Sequence, residues 1–77
     1  MEEDDRRARL EEAAQLYERA AEELGLAQVH CLRSAEHFRS ADVPRGAAHA
    51  WAALGHLKVA EDRLLQQARD HRERSSA

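Results

Sequence analysis

With 77 residues, 35% of them charged and 43% hydrophobic, and a formal net charge of -3, the chain has room for one core and no more. Acidic and basic residues are interspersed, so there is no broad positive field to draw in nucleic acid or an anionic membrane surface as the main partner. No apolar run approaches the roughly 20 residues that a membrane-spanning helix needs, and a membrane segment is not expected.

Phe, Trp and Tyr occur once each, so Ala and Leu supply most of the apolar content, which is a helix-forming composition. The expectation is a single all-α domain over residues 1–77, with frayed tails at about 1–4 and 75–77. The opening Met1-Glu2-Glu3-Asp4-Asp5 has neither the basic nor the apolar region of a secretory leader, and Cys31 has no second cysteine to pair with. A reducing cytoplasm is the expected compartment.

The first element is read as a long helix over about residues 5–40, on which Leu10, Ala13, Tyr17, Ala20, Leu24, Ala27, Cys31, Ser34 and Phe38 recur at alternating steps of three and four. Gly25 does not interrupt that rhythm. The lone proline follows, in Ser40-Ala41-Asp42-Val43-Pro44-Arg45-Gly46, the one stretch that reads as a turn. Val43 is pushed from helical geometry because it precedes proline, Pro44 suits the first turn of a new helix, and Asp42 can accept from its free amides. The second helix is read over about residues 44–73, where Ala47, Ala50, Leu54, Leu57, Leu64 and Ala68 follow the same rhythm with Glu61 as its one charged member. Glu61 then needs a cation, with Lys58 or Arg63 on its own helix or an arginine of a second chain as candidates, or else the seam splays there and leaves it in water.

A short turn folds two such helices into an antiparallel hairpin. Leu26, Val29 and Leu32 on the first helix, and Trp51, Val59 and Leu65 on the second, lie off these seams, so each helix is apolar around more than the usual third of its circumference. Pairing two hairpins into a four-helix bundle is the simplest way to bury the excess. The interface residues expected from this reading are Tyr17, Leu24, Leu26, Val29, Leu32, Phe38, Trp51, Leu54, Val59, Leu64 and Leu65.

A competing architecture breaks the helices at Gly25 and Gly55 into three or four shorter ones. Glu12-Ala13-Ala14-Gln15-Leu16-Tyr17-Glu18-Arg19-Ala20 has a small-x3-aromatic-x2-small spacing, and Phe38-Arg39-Ser40-Ala41-Asp42-Val43 with Gly46, Ala50 and Ala53 follows about 33 residues on. Over roughly residues 12–54 the chain thereby resembles tetratricopeptide-like helical repeats, a resemblance that implies stacked helix pairs and a peptide-binding groove. Arg33 and Ser34 stand where that family has leucine and glycine in its first helix.

Four of the five histidines are regularly placed: His30 and His37 are seven apart, as are His49 and His56. Folding about residue 43 sets His37 beside His49 and His30 beside His56, in two layers about 10 Å apart along the helices. Doubled across a dimer, such layers could bind zinc, copper or nickel, and this is the alternative function. Neither helix carries the Glu-x-x-His or His-x3-His pair with which bundles usually offer two ligands from one arm, so the bland alternative is polar residues flanking an apolar stripe. Were these layers in a dimer interface, protonation would loosen the assembly in acid.

Cys31 and His30 are adjacent on a helix and point about 100° apart, so they form no nucleophilic pair, and Cys31 reads as a small core residue. No Ser-His-Asp set, phosphate loop or carboxylate cleft can be assembled, and an enzyme is not expected. The basic stretch Arg63 through Arg74 is diluted by Asp70 and Glu73 and suits the helix C-terminus, so nucleic acid is not expected as a partner. The leading expectation is a protein–protein interaction or adaptor module that pairs with itself, requires no cofactor and serves an unidentified second protein.

Overall fold

The computed structural model describes residues 1–76, which form two helices, α1 (Glu2–Arg39) and α2 (Val43–Ser76). The chain is an all-α antiparallel hairpin, with no strand among the described residues. Helix α1 starts at Glu2 rather than near residue 5, so residues 2–4 belong to it. Their acidity suits the place: Glu2, Glu3, Asp4 and Asp5 fill the first turn, against the positive end of the helix dipole, while His37 and Arg39 fill the last. Helix α2 runs on to Ser76, past the expected end near 73, and Ala77 lies outside the described residues. Both helices pass through their mid-chain glycines, Gly25 and Gly55, so the architecture of shorter broken helices is not formed.

The reversal takes three residues. The Asp42 amide donates to the His37 carbonyl at 2.7 Å and the Ala41 amide to the Phe38 carbonyl at 3.0 Å, the paired bonds of a Schellman stop. That stop puts Ala41 in the left-handed region, with φ of 61°. Asp42 then caps α2: its Oδ1 accepts from the Arg45 amide at 3.3 Å, and its carboxylate lies 3.5 Å from the Arg45 guanidinium.

Burial identifies the true contact between the helices. On α1 the inner rows are Ala13, Ala20, Ala27 and Ser34, and Leu16, Glu23, His30 and His37; on α2 they are Gly46, Ala53, Ala60 and Gln67, and His49, His56, Arg63 and Asp70. Both sets alternate steps of three and four, as a knobs-into-holes seam requires, yet this seam is small and polar. The buried apolar side chains are four alanines, Ala20, Ala27, Ala53 and Ala60, joined by Gln67.

The sequence-derived seam is therefore corrected by about one row. Its small members, Ala13, Ala20, Ala27 and Ser34, do face α2, but its large members Leu10, Tyr17, Leu24 and Phe38, along with Cys31, flank the contact and stay exposed. On α2 the expected seam of Ala50, Leu54, Leu57 and Leu64 likewise lies beside the contact, with Glu61 in solvent. A row of small residues draws the helices together along its own line, and close approach there leaves the larger side chains beside that row rather than within it. The result is a slab of 59 × 20 × 11 Å, one helix thick, with a radius of gyration of 17.6 Å. A compact chain of this length would have a radius near 11.5 Å.

Candidate interaction surface

The two broad faces of the slab differ in chemistry because each inner row borders a different flank. One face carries the small rows and, beside them, Leu10, Tyr17, Leu24, Cys31 and Phe38 from α1 and Ala50, Leu54, Leu57 and Leu64 from α2. Along its middle runs a groove of about 430 Å³ floored by Ala27 and Ala53 and walled by Leu24, Cys31, Leu54 and Leu57. Leu24 is 43% exposed and Leu57 47%, so the walls are side chains half in water. Gln28 and Ser34 are the groove's polar members, and Ser34 is engaged elsewhere, its hydroxyl donating to the Gly46 carbonyl at 2.8 Å.

At the turn end of this face the Phe38 ring lies against Gly46, so close that a Cβ there would fall 2.6 Å from its Cε2. Glycine is required at Gly46 for that contact. At Gly25 and Gly55 an added Cβ meets nothing within 4 Å.

The opposite face carries the polar inner rows, and their histidines form one continuous column. His37 stacks on His49 with ring centroids 5.2 Å apart and planes within 10°, His49 on His30 at 5.1 Å and 29°, and His30 on His56 at 5.4 Å and 11°. The expected neighbours, His37 with His49 and His30 with His56, are both found. The additional His30–His49 contact merges the two expected layers into a staircase, because each knob of an antiparallel seam sits between two residues of the facing helix and halves the heptad step.

Two hydrogen bonds fix the column. His30 Nδ1 lies 2.9 Å from His49 Nδ1, a contact in which one ring must donate and the other accept. His56 Nδ1 donates to Glu23 Oε2 at 2.6 Å, a partly buried pair at the column's end. Partial burial holds the His49 pKa below the usual imidazole value, and His30, His37 and Arg33 add to the same effect by like-charge repulsion. One heptad beyond His56, Arg63 keeps its Nε buried with no hydrogen-bond partner among the described residues.

As a metal site the column is poorly built. Among the described residues no group of three or more His, Cys, Asp or Glu side chains could hold one ion, and the two nitrogens that do face each other, His30 Nδ1 and His49 Nδ1, are only 2.9 Å apart. The five named interface residues Tyr17, Leu24, Phe38, Leu54 and Leu64 do share the grooved face. Leu26 and Val59 border the histidine face, and Val29, Leu32, Trp51 and Leu65 lie toward the outer sides of the helices, Trp51 with 74% of its surface exposed.

Sequence reasoning missed Glu23 as the partner of His56, although Glu23, His30 and His37 are spaced by sevens and so belong to one row. Glu61 has its cation where one was expected, Lys58 at 3.7 Å, and Lys58 also reaches Asp62 at 3.3 Å. The hydrogen bond to Asp62, followed by the charges of Asp62 and Glu61, raises the Lys58 pKa. Among the described residues no helix is long and apolar enough to cross a membrane. No protein-family model matches the chain, and no curated protein or solved structure is similar to it.

Proposed function

We propose that the chain is a protein–protein interaction module that pairs with a second copy of itself, grooved face to grooved face, to make a four-helix bundle. One observation carries the reading: the hairpin buries alanines and leaves its large apolar side chains outside, with Leu10, Tyr17, Leu24, Phe38, Leu54, Leu57 and Leu64 together on one broad face. A compact monomer of 8.7 kDa would expose about 4,700 Å², whereas this chain exposes 6225 Å². The excess is about the total area of a standard specific interface, and the 59 × 20 Å face is ample for the roughly 800 Å² that each partner contributes.

A second copy fits this face better than a lone peptide does. The groove runs along the hairpin between Leu24 and Leu57, so two hairpins can interdigitate these leucines over each other's alanine floor, as facing helices of a bundle do. The outer sides of such a bundle, with Leu32, Trp51 and Leu65, remain available to a different protein, which is the adaptor part of the role. The role involves no catalysis, and it suits the cytoplasm, where the exposed Cys31 stays a thiol.

Light scattering after gel filtration at pH 8 tests the pairing. The expected mass is twice the 8.7 kDa of one chain, and Leu57→Glu, which sets a charge in the groove wall, should reduce it to one chain. A wild-type mass of one chain at every concentration, or a Leu57→Glu mass equal to the wild type, overturns the reading.

A further inference from the structure

We propose that the histidine column is an acid-sensitive latch between α1 and α2, so that proton uptake by His30, His37 and His49 unlocks the hairpin. The inference concerns the contact within one chain and does not depend on the bundle.

Proton counting at the His30–His49 contact carries the argument. At 2.9 Å one Nδ1 must bear a hydrogen and the other must offer a lone pair. With both rings neutral the bond is satisfied, and with one ring protonated it is satisfied still, by an imidazolium donating to an imidazole. A second proton places hydrogens on both Nδ1 atoms, so the bond is lost and two cations stand face to face. The contact therefore tolerates one added proton and is broken by a second.

The surroundings extend this limit to three of the four rings. His37 stacks on His49 at 5.2 Å, so a charge on it opposes one on its neighbour. Arg33 on α1 adds positive charge near His49. On the other side of the balance stands Glu23 of α1, and it is engaged by His56 of α2 at 2.6 Å. His56 can thus hold a proton with compensation, while among the described residues His30, His37 and His49 make no ion pair with a carboxylate. All four rings lie on the seam between α1 and α2, so the repulsion acts across the contact that joins them, and the small alanine rows beside it offer little apolar area in opposition.

The sign follows from proton binding. A histidine whose folded pKa lies below its unfolded value binds fewer protons folded than unfolded, so stability is full above the unfolded value of about 6.5 and is lost as pH falls below it. The depressed His49 pKa has that direction.

Thermal unfolding followed by circular dichroism at pH 8 and pH 5.5 tests the latch, with light scattering under both conditions to record the number of chains. The wild type should melt at a lower temperature at pH 5.5, and the triple variant H30Q/H37Q/H49Q should lose most of that difference. A wild-type melting temperature equal at the two pH values overturns the proposal, as does an undiminished difference in the triple variant. Should the triple variant not fold, NMR titration of the wild-type rings decides instead: His49 titrating below the free-histidine value supports the latch, and His49 titrating at or above it overturns it. A change in the number of chains with no change in melting of the hairpin also counts against it, because the proton would then be acting between chains.

Discussion

Ala41 occupies the one described position, glycine aside, where the backbone takes a positive φ, 61°, and it is held there by the bonds from the Asp42 and Ala41 amides to the last turn of α1. An L-residue in that conformation carries a cost of about 1–2 kcal/mol from its Cβ, which glycine does not pay. Part of the gain from Ala41→Gly is returned to the more flexible unfolded chain, at about 0.4–1 kcal/mol. The expected outcome is stabilisation by roughly 0.5–1 kcal/mol, read as a higher urea midpoint at unchanged slope. A lower midpoint would show that the turn is held by something other than this cap. That the chain reverses here was legible from Pro44 and Asp42, whose chemistry is local. That Ala41 would be the left-handed residue was not, because nothing in alanine itself favours that conformation.

At the scale of the helix, Gly46 and Gly55 belong to the same element and face opposite demands. Gly55 lies in the interior of α2 with open space around it, so Gly55→Ala should gain about 0.5–1 kcal/mol from helix propensity alone. Gly46 is buried on the seam under the Phe38 ring, and an alanine methyl there would drive the ring off the contact. Gly46→Ala should therefore gain less than Gly55→Ala, because the half-exposed Phe38 ring must swing aside; equal shifts would mean that the Phe38 contact has no weight. The lengths and continuity of both helices could be read from the sequence, since their periodic pattern runs through Gly25 and Gly55. Which rows face inward could not. Leu10, Ala13, Tyr17 and Ala20 step by three and four, and so do Ala13, Leu16, Ala20 and Glu23. Hydrophobicity favours the first series, but the hairpin closes on the second, with the alanines common to both at the line of closest approach and Leu16 and Glu23 beside it in place of Leu10 and Tyr17. The histidine pairs and the face shared by Tyr17, Leu24, Phe38, Leu54 and Leu64 were legible for the same reason as the helices: they rest on spacing, and spacing survives a shift of row.

At the scale of the whole molecule the hairpin is one layer of structure, and a protein core ordinarily needs two. A slab 11 Å thick cannot place a leucine out of water on both sides, so Leu24, Leu54, Leu57 and Leu64 find cover only beyond their own chain. If that cover is a second copy, folding and pairing are a single equilibrium, and stability must depend on concentration. A tenfold rise in concentration adds about 1.4 kcal/mol per mole of dimer. Spread over the unfolding entropy of two 77-residue chains, at about 2.1 cal/mol/K for each residue, this raises the melting temperature by roughly 4 °C. The measurement belongs at pH 8, above the ordinary imidazole value of about 6.5, so that proton uptake by histidine does not enter the comparison. A melting temperature independent of concentration over two decades would mean that the hairpin stands alone. Its exposed leucines would then need another explanation, since alanines are the only apolar side chains that it buries among the described residues.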